Sequence, residues 1–236
     1  MADNYSLSQL AFFTAVLGAG FFTVRAISPP NRTPADRAWR KDVLRFASAN
    51  VSVNRSVTFV SLLVLYYAAL CISPPAVLTT ICPTEGTGQR NPLLFTWSPV
   101  TVFSFTAIAV GVLLRRAAYS HLGKNFTFGL TKPHGLVTDG VYAYVQHPSY
   151  TGLIFLGVAC YCMYFRLDGA TACFVPPRYW PLVKAWGTPL YIGTPFLLTM
   201  ALGMRVAEEE AMLKELFGKK WEQWHAKTKR FIPGLI

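Results

Sequence analysis

Five long stretches of the sequence contain no charged side chain, and this pattern constrains the fold more than any other feature. Each stretch holds at least 20 residues, and their flanking charges are Asp3 and Arg25, Arg55 and Glu85, Arg90 and Arg115, Asp139 and Arg166, and Lys184 and Arg205. A helix needs about 20 mainly apolar residues to cross a bilayer. A buried helix of a soluble protein could explain one such stretch, but five in one chain of 236 residues indicate a membrane protein.

We therefore predict an all-α, polytopic integral membrane protein with about five transmembrane helices and a cytosolic C-terminal helix. The predicted spans are residues 7–24, 57–72, 100–114, 150–165 and 185–203. The composition agrees, because charged residues make up 14% of the chain, against roughly 25% in soluble domains. The first stretch lacks the basic segment of a secretory signal and is interpreted as a retained span.

The basic residues predict an orientation in the membrane. Of the 22 Lys and Arg residues, 18 lie in residues 25–55, 115–132 and 205–230, which alternate with the predicted spans. Because Lys and Arg accumulate in cytoplasmic loops, the N terminus is predicted to lie outside the cytosol and the C terminus inside it. Sequons that begin at Asn31, Asn50 and Asn54 would then face the cytosol, so glycans on them would contradict this topology.

The formal net charge of +11 is expected to attract anionic membrane lipid, because the basic residues flank spans and no nucleic-acid-binding motif is present. The five cysteines form no C-x-x-C pair, and most lie in or near apolar runs, where cysteine behaves as a small hydrophobic residue. We therefore predict no metal site and no disulfide for Cys71, Cys82, Cys160, Cys162 and Cys173.

A polar segment between the third and fourth predicted spans, residues 132–150, is rich in reactive and turn-forming residues. It contains His134, Gly135, Gly140, Tyr142, Tyr144, His147, Pro148, Ser149 and Tyr150. Irregular backbone near a membrane persists only where it is buried in protein or lines a wet cavity, so the segment indicates a pocket. The alternative is an interfacial loop with an aromatic belt and solvated histidines. That alternative is favoured for Tyr144 and His121, and both interpretations stay open for His134 and His147.

A second polar segment, residues 205–221, follows the fifth predicted span. As a helix it places Arg205, Glu209, Met212 and Leu216 on one face. An exposed ion pair between Arg205 and Glu209 would contribute only about 0.3 to 0.5 kcal/mol. Opposite charges at the membrane exit of a span more often serve a functional site, so we favour that interpretation. Gly218 is the expected end or bend of the helix.

Together these segments resemble a known enzyme family. The run H-x-L-V-T-x-G-V-Y-x-x-x-x-H-P-S-Y from His134 to Tyr150, followed by R-x-x-E-E-E from Arg205 and then by F-G and I-P-G, is similar to the isoprenylcysteine carboxyl methyltransferase family. The resemblance implies S-adenosyl-L-methionine-dependent methyl esterification of the C-terminal carboxylate of prenylated cysteine. It also implies an endoplasmic reticulum membrane protein with a cytosolic active site, whose partners are prenylated proteins and membrane lipid.

The resemblance also implies roles for individual residues. Residues 1–114 would hold N-terminal transmembrane helices and a basic cytosolic loop, and residues 115–236 the catalytic region. Arg205, Glu209 and His147 would be catalytic, with Arg205 holding the substrate carboxylate and no metal involved. The cofactor contacts would be His134, Gly135, Leu136, Val137, Tyr142, His147, Pro148, Ser149, Tyr150 and Glu209.

Two other functions stay open from the residues alone. A related enzyme could methylate the amine headgroup of a phospholipid, although Arg205 would repel a cationic headgroup. A non-catalytic membrane scaffold or transporter could instead use Arg205 and Glu209 as a structural pair.

The esterification chemistry itself makes a modest demand on the protein, because a carboxylate with a pKa near 4 is already ionised at cytosolic pH and needs no general base.

Overall fold

The fold is built from α-helices. The computed structural model describes residues 6–31, 33, 39, 42, 50–82 and 91–234, so Asp3, Glu85 and Arg90, which flank three of the uncharged stretches, lie outside it. The α-helices of these residues are α1 (Leu7–Ile27), α2 (Asn50–Ile72), α3 (Pro75–Ile81), α4 (Pro99–Leu122), α5 (Pro148–Met163), α6 (Ala170–Phe174), α7 (Trp180–Phe217) and α8 (Lys219–Lys227). Short 3-10 helices cover Pro92–Leu94, Gly123–Asn125, Gly140–Ala143 and Pro177–Tyr179.

Within the described residues, four helical segments are long and apolar enough to cross a membrane: Leu7–Ile27, Asn50–Ile72, Pro92–Asn125 and Trp180–Phe217. The fourth predicted span corresponds to α5, which has 16 residues and is shorter than the roughly 20 that a full crossing needs. Large apolar side chains on these helices are exposed, including Leu113 at 67% and Phe196 at 70%. Lipid is the solvent that suits such a surface, and the prediction of a polytopic all-α protein is confirmed.

The last predicted span and the polar segment that follows it form one continuous helix. Helix α7 has 38 residues and contains Pro189 and Pro195, which membrane helices tolerate because neighbouring groups can satisfy the freed carbonyls. The helix ends at Phe217, and Gly218 adopts a φ of 50°, a left-handed conformation that favours glycine. The expected break at Gly218 is therefore confirmed, and the polar segment from residue 205 is divided between α7 and α8.

The described residues form two compact units. The first comprises the described residues within 1–24, 58–109 and 155–196, and the second comprises those within 25–57, 110–154 and 197–236. The core of the first unit is apolar and contains Phe12, Val16, Tyr67, Met163 and Tyr164, each at most 2% exposed. The polar segments singled out from the sequence belong to the second unit. The division into functional regions at residue 114 stays a prediction.

The prediction of no disulfide is wrong. Cys82 and Cys173 are joined by a disulfide in the first unit, although they are 91 residues apart in sequence. Elsewhere in the same unit, the Asn91 amide N–H donates to the Asp168 carbonyl over 2.8 Å. Sequence spacing could not reveal this pairing, because only the packing of the chain brings the two sulfur atoms together. Cys71, Cys160 and Cys162 take no part in this disulfide.

Candidate active site

The polar segment after α4 runs as irregular backbone through Lys132 to Asp139 and enters a 3-10 helix at Gly140. Gly140 has a φ of 55°, and a Cβ atom placed there would lie 1.9 Å from the His121 ring. The positive φ therefore favours glycine at this turn, and a Cβ would also displace the His121 ring. Tyr142 of the 3-10 helix is buried, and Tyr144 is 69% exposed, as expected for an interfacial residue.

Arg205 is buried, with 7% of its surface exposed. Its Nη1 donates to Oδ1 of Asp42 over 2.5 Å, and its Nη2 donates to the Phe128 carbonyl over 2.6 Å. The partner of this guanidinium is therefore Asp42, and the exposed Arg205–Glu209 pair considered from the sequence is not the arrangement observed. The guanidinium is thus held by one carboxylate and one backbone carbonyl.

Glu209 lies one helical turn after Arg205 and faces Tyr150, the third residue of α5. The Tyr150 hydroxyl donates to Oε2 of Glu209 over 2.7 Å, and it also lies close enough to interact with the Arg205 side chain. The charge of Glu209 also acts on Tyr142: burial raises the pKa of the Tyr142 hydroxyl, and the negative charge of Glu209 raises that pKa further. Arg205, Tyr150 and Glu209 thus form one polar group, here called the Arg–Tyr–Glu group.

His147 is packed among protein groups, with its ring centroid 5.6 Å from that of Tyr150. It is 4% exposed, and its Nε2 lies 3.3 Å from Oε1 of Glu210. Glu210 also accepts two hydrogen bonds from Arg230, from Nε and from Nη2, each over 2.7 Å. The hydrogen bond and charge of Glu210 raise the pKa of Arg230. His147, Glu210 and Arg230 therefore link the backbone just before α5 to α7 and to the C-terminal segment.

The C-terminal segment after α8 pairs with the backbone that precedes α5. Val145 and Lys229 form an isolated parallel bridge, and the His147 amide N–H donates to the Arg230 carbonyl over 2.9 Å. Gln146 is 3% exposed, and its Nε2 donates to the Thr228 carbonyl over 2.8 Å. These bonds close the segment over the residues that lead into α5.

The two residues after His147 are also held by protein. Pro148 is fully buried, and Ser149 is 8% exposed. Nη1 of Arg115 donates to both the carbonyl and the hydroxyl oxygen of Ser149, each over 3.2 Å, and Nε of Arg115 donates to the Ala26 carbonyl over 2.7 Å. Arg115 thus fixes the first turn of α5 to α4 and to the end of α1.

The start of the polar segment is more open. His134 is exposed, and its amide N–H donates to Oδ1 of Asn125 over 3.1 Å. A Cβ atom at Gly135 would meet nothing within 4 Å. Leu136 and Val137 are partly buried against a core cluster that contains Tyr142, Trp221 and Trp224.

The structure brings together the predicted residues of α5 and α7 but corrects their surroundings. Along the predicted face of α7, Met212 is buried and Leu216 is 37% exposed. Asp42, Glu210 and Arg230 were not singled out from the sequence. Glu210 stands in the Glu208–Glu210 run, but helical spacing from Arg205 selected only Glu209. Asp42 does not belong to any motif recognised in the sequence.

Comparison with known proteins identifies the family. A model of the isoprenylcysteine carboxyl methyltransferase family matches residues 103–185. Protein-S-isoprenylcysteine O-methyltransferase A of Arabidopsis thaliana is 35% identical over 184 residues, covering 75% of this chain and 79% of that protein. The chain belongs to the isoprenylcysteine carboxyl methyltransferase family. The family match contains the whole segment from His134 to Tyr150, and Arg205 and Glu209 lie beyond its end.

Two further members of the family show how far the similarity extends. Protein-S-isoprenylcysteine O-methyltransferase of Schizosaccharomyces pombe is 29% identical over 138 residues, which cover 53% of this chain and 46% of that protein. The B protein of Arabidopsis thaliana is 26% identical over 138 residues, covering 57% of this chain and 59% of that protein. In both cases less than two thirds of the relative is matched.

Proposed function

We propose that this protein uses S-adenosyl-L-methionine to methylate the C-terminal carboxylate of S-prenylated cysteine in processed proteins. The relatives are named for this activity. The single structural observation that carries the proposal is the Arg–Tyr–Glu group, in which Tyr150 interacts with both Glu209 and Arg205. A carboxylate-binding cation and a carboxylate suited to a cationic donor are thereby held beside one tyrosine.

Arg205 is proposed to hold the acceptor carboxylate. A guanidinium offers paired N–H donors that match the two oxygens of a carboxylate, and burial strengthens such a contact. Arg205 already binds the Asp42 carboxylate through Nη1, so its surroundings support this kind of bond. Since the acceptor carboxylate is ionised at cytosolic pH, the protein needs to position it and does not need to remove a proton from it.

The residues near Arg205 fit the proposed cofactor. When bound, S-adenosyl-L-methionine supplies a methyl group on a cationic sulfonium, which the ionised carboxylate can accept without proton transfer. Glu209 would face the cationic portions of the cofactor, with Tyr142 and Tyr150 packed beside it. The open space at Gly135 would admit the cofactor against the backbone of His134 to Val137.

His147, Pro148 and Ser149 are proposed to support the cofactor site mainly by shaping it. Their side chains are buried, and His147 and Ser149 have polar contacts with Glu210 and Arg115 respectively. The C-terminal segment that pairs with residues 145–147 is proposed to shield the site from water. Removing water strengthens the electrostatic contacts of a site and protects the cofactor from side reactions.

The proposed location is the endoplasmic reticulum membrane, with the active site facing the cytosol. The disulfide joins Cys82 to Cys173, and both cysteines lie in regions that the basic residues place outside the cytosol. Disulfides form in oxidising compartments such as the endoplasmic reticulum lumen. On the predicted cytosolic side, Nδ2 of Asn31 donates to the Gly123 and Phe126 carbonyls. This nitrogen is the atom that a glycan would require, so its engagement supports a cytosolic position.

The test is methyl transfer by the purified chain in liposomes. Labelled cofactor is supplied with N-acetyl-S-farnesylcysteine in one reaction and with phosphatidylethanolamine in another. A methyl ester is released by base as methanol, whereas an N-methyl group is stable to base. We expect base-labile label on the prenylcysteine and none on the phospholipid. Base-stable label on the phospholipid alone would overturn the proposal.

A further inference from the structure

The carboxylate that binds Arg205 comes from a part of the chain with no motif. Asp42 belongs to the region between α1 and α2, and its side chain is 3% exposed. One oxygen accepts from Arg205, and Oδ2 accepts from the Leu130 amide N–H over 3.0 Å. Both oxygens of this buried carboxylate are therefore engaged, one by a charged donor and one by backbone.

The backbone near Asp42 is fixed to the same stretch of chain. The Trp39 amide N–H donates to the Leu130 carbonyl over 2.7 Å, and Nζ of Lys132 lies 5.9 Å from the centroid of the Trp39 ring. Leu130 thus donates to Asp42 and accepts from Trp39. Displacing the Asp42 carboxylate from Arg205 would disturb these bonds, which argues against its being a mobile competitor of the acceptor.

We propose that Asp42 is a positioning residue for the acceptor carboxylate and acts by orienting Arg205; this inference rests on the proposed function. Asp42 fixes Nη1, and the Phe128 carbonyl fixes Nη2, so the plane of the guanidinium is set before the acceptor arrives. A guanidinium has five N–H donors, so these two contacts leave donors available to an incoming carboxylate. Asp42 also neutralises a buried cation that would otherwise be unpaired.

The test measures binding of the acceptor separately from turnover. The purified chain in liposomes is titrated with labelled N-acetyl-S-farnesylcysteine and, in parallel, with its neutral methyl ester. We expect Asp42→Ala to weaken binding of the acid by about tenfold, because the bonds to a charged group are lost. Binding of the methyl ester and of S-adenosyl-L-methionine should change by less than about twofold. Asp42→Asn should weaken acid binding less, because its amide oxygen can still accept from Arg205.

A matched control is available in the first unit. Asp168 accepts from Arg166 over 2.7 Å in another Asp–Arg ion pair, so Asp168→Ala removes the same chemistry without touching Arg205. It should leave the preference for the acid over the ester unchanged. In an Arg205→Lys background, Asp42→Ala should weaken binding of the acid by a further factor of less than about two, because Asp42 acts through the guanidinium.

Three results would overturn the inference. Tighter acid binding by Asp42→Ala would show that Asp42 competes with the acceptor. Unchanged acid binding would show that it does not position Arg205. Equal losses of binding affinity for the acid, the ester and the cofactor in Asp42→Ala would show that Asp42 has a general structural role. Failure of the proposed function is a separate result, because the wild-type chain would then bind the acid without producing methyl ester.

Discussion

At the residue scale, Arg205 is expected to separate acceptor use from cofactor use. Arg205→Ala should lower kcat/KM for N-acetyl-S-farnesylcysteine by about 100-fold, as expected when a buried charged partner is removed. The kcat/KM of Arg205→Lys should lie between those of Arg205→Ala and wild type, because lysine keeps the charge but loses the paired donors. Tyr144→Phe, at a 69% exposed position, is the control. An equal loss of cofactor affinity in Arg205→Ala would contradict the assignment.

Glu210 is expected to contribute more to stability than its neighbours on α7. It is 8% exposed and contacts both His147 and Arg230. Glu210→Gln removes the charge from these contacts and should lower the free energy of unfolding by about 1 to 3 kcal/mol. Denaturant titration in detergent measures this change, with the exposed Glu215→Gln as control. Indistinguishable stabilities of the two variants would refute a structural role for the Glu210 contacts.

The residues that carried a motif could be found from the sequence, and the residues that support them could not. Arg205 and Glu209 share a helix face by spacing, and Tyr150 lay in the run shared with the family. Their contact depends on how α5 packs against α7, which spacing within one helix does not reveal. Asp42 reaches Arg205 across 163 residues of sequence. No local pattern marks such a pair, because each partner alone looks like an ordinary charge in a basic segment.

At the scale of elements, the turn at Gly140 should be intolerant of a side chain. Gly140→Ala would place a Cβ atom against His121 and force alanine to a φ of 55°. The strained conformation alone costs about 1 kcal/mol or more. In detergent, the unfolding temperature should be clearly lower for Gly140→Ala than for wild type. It should not be lowered by Gly203→Ala, because a Cβ at Gly203 meets nothing within 4 Å. Adding His121→Ala to Gly140→Ala should restore only the stability lost through the clash with the His121 ring, and the loss from the strained φ should remain. Full stability of Gly140→Ala would contradict the observed turn.

The disulfide should stabilise the first unit. Cys82→Ser, Cys173→Ser and the double variant should unfold at similar, lower temperatures, because each removes the same cross-link. For the sequence separation of 91 residues, the loss is expected to be about 2 to 5 kcal/mol. A reducing agent should lower the unfolding temperature of wild type but not of the variants, and Cys162→Ser is the control with a free thiol. A wild-type protein insensitive to reductant would argue against the cross-link.

At the scale of the whole molecule, the distribution of charge predicted the class of fold because a bilayer admits few alternatives. Uncharged stretches of 20 residues or more must form helices in lipid, where every backbone group needs an internal partner. The charges did not predict where helices end. Helix α7 continues through the first polar turns to Phe217, and its end is set by Gly218. Nor could they predict the division into two units, since each unit is assembled from three separate parts of the sequence.

Esterification by the intact protein in a sealed membrane is the most direct test of the whole account. The chain is produced in cells that lack their own prenylcysteine methyltransferase, and sealed microsomes with the cytosolic face outward are supplied with labelled S-adenosyl-L-methionine and N-acetyl-S-farnesylcysteine. The account predicts base-labile methyl ester without detergent, and little product from Arg205→Ala. Product that appears only after detergent opens the microsomes would contradict the orientation, and no ester under either condition, with the protein folded, would contradict the proposed activity.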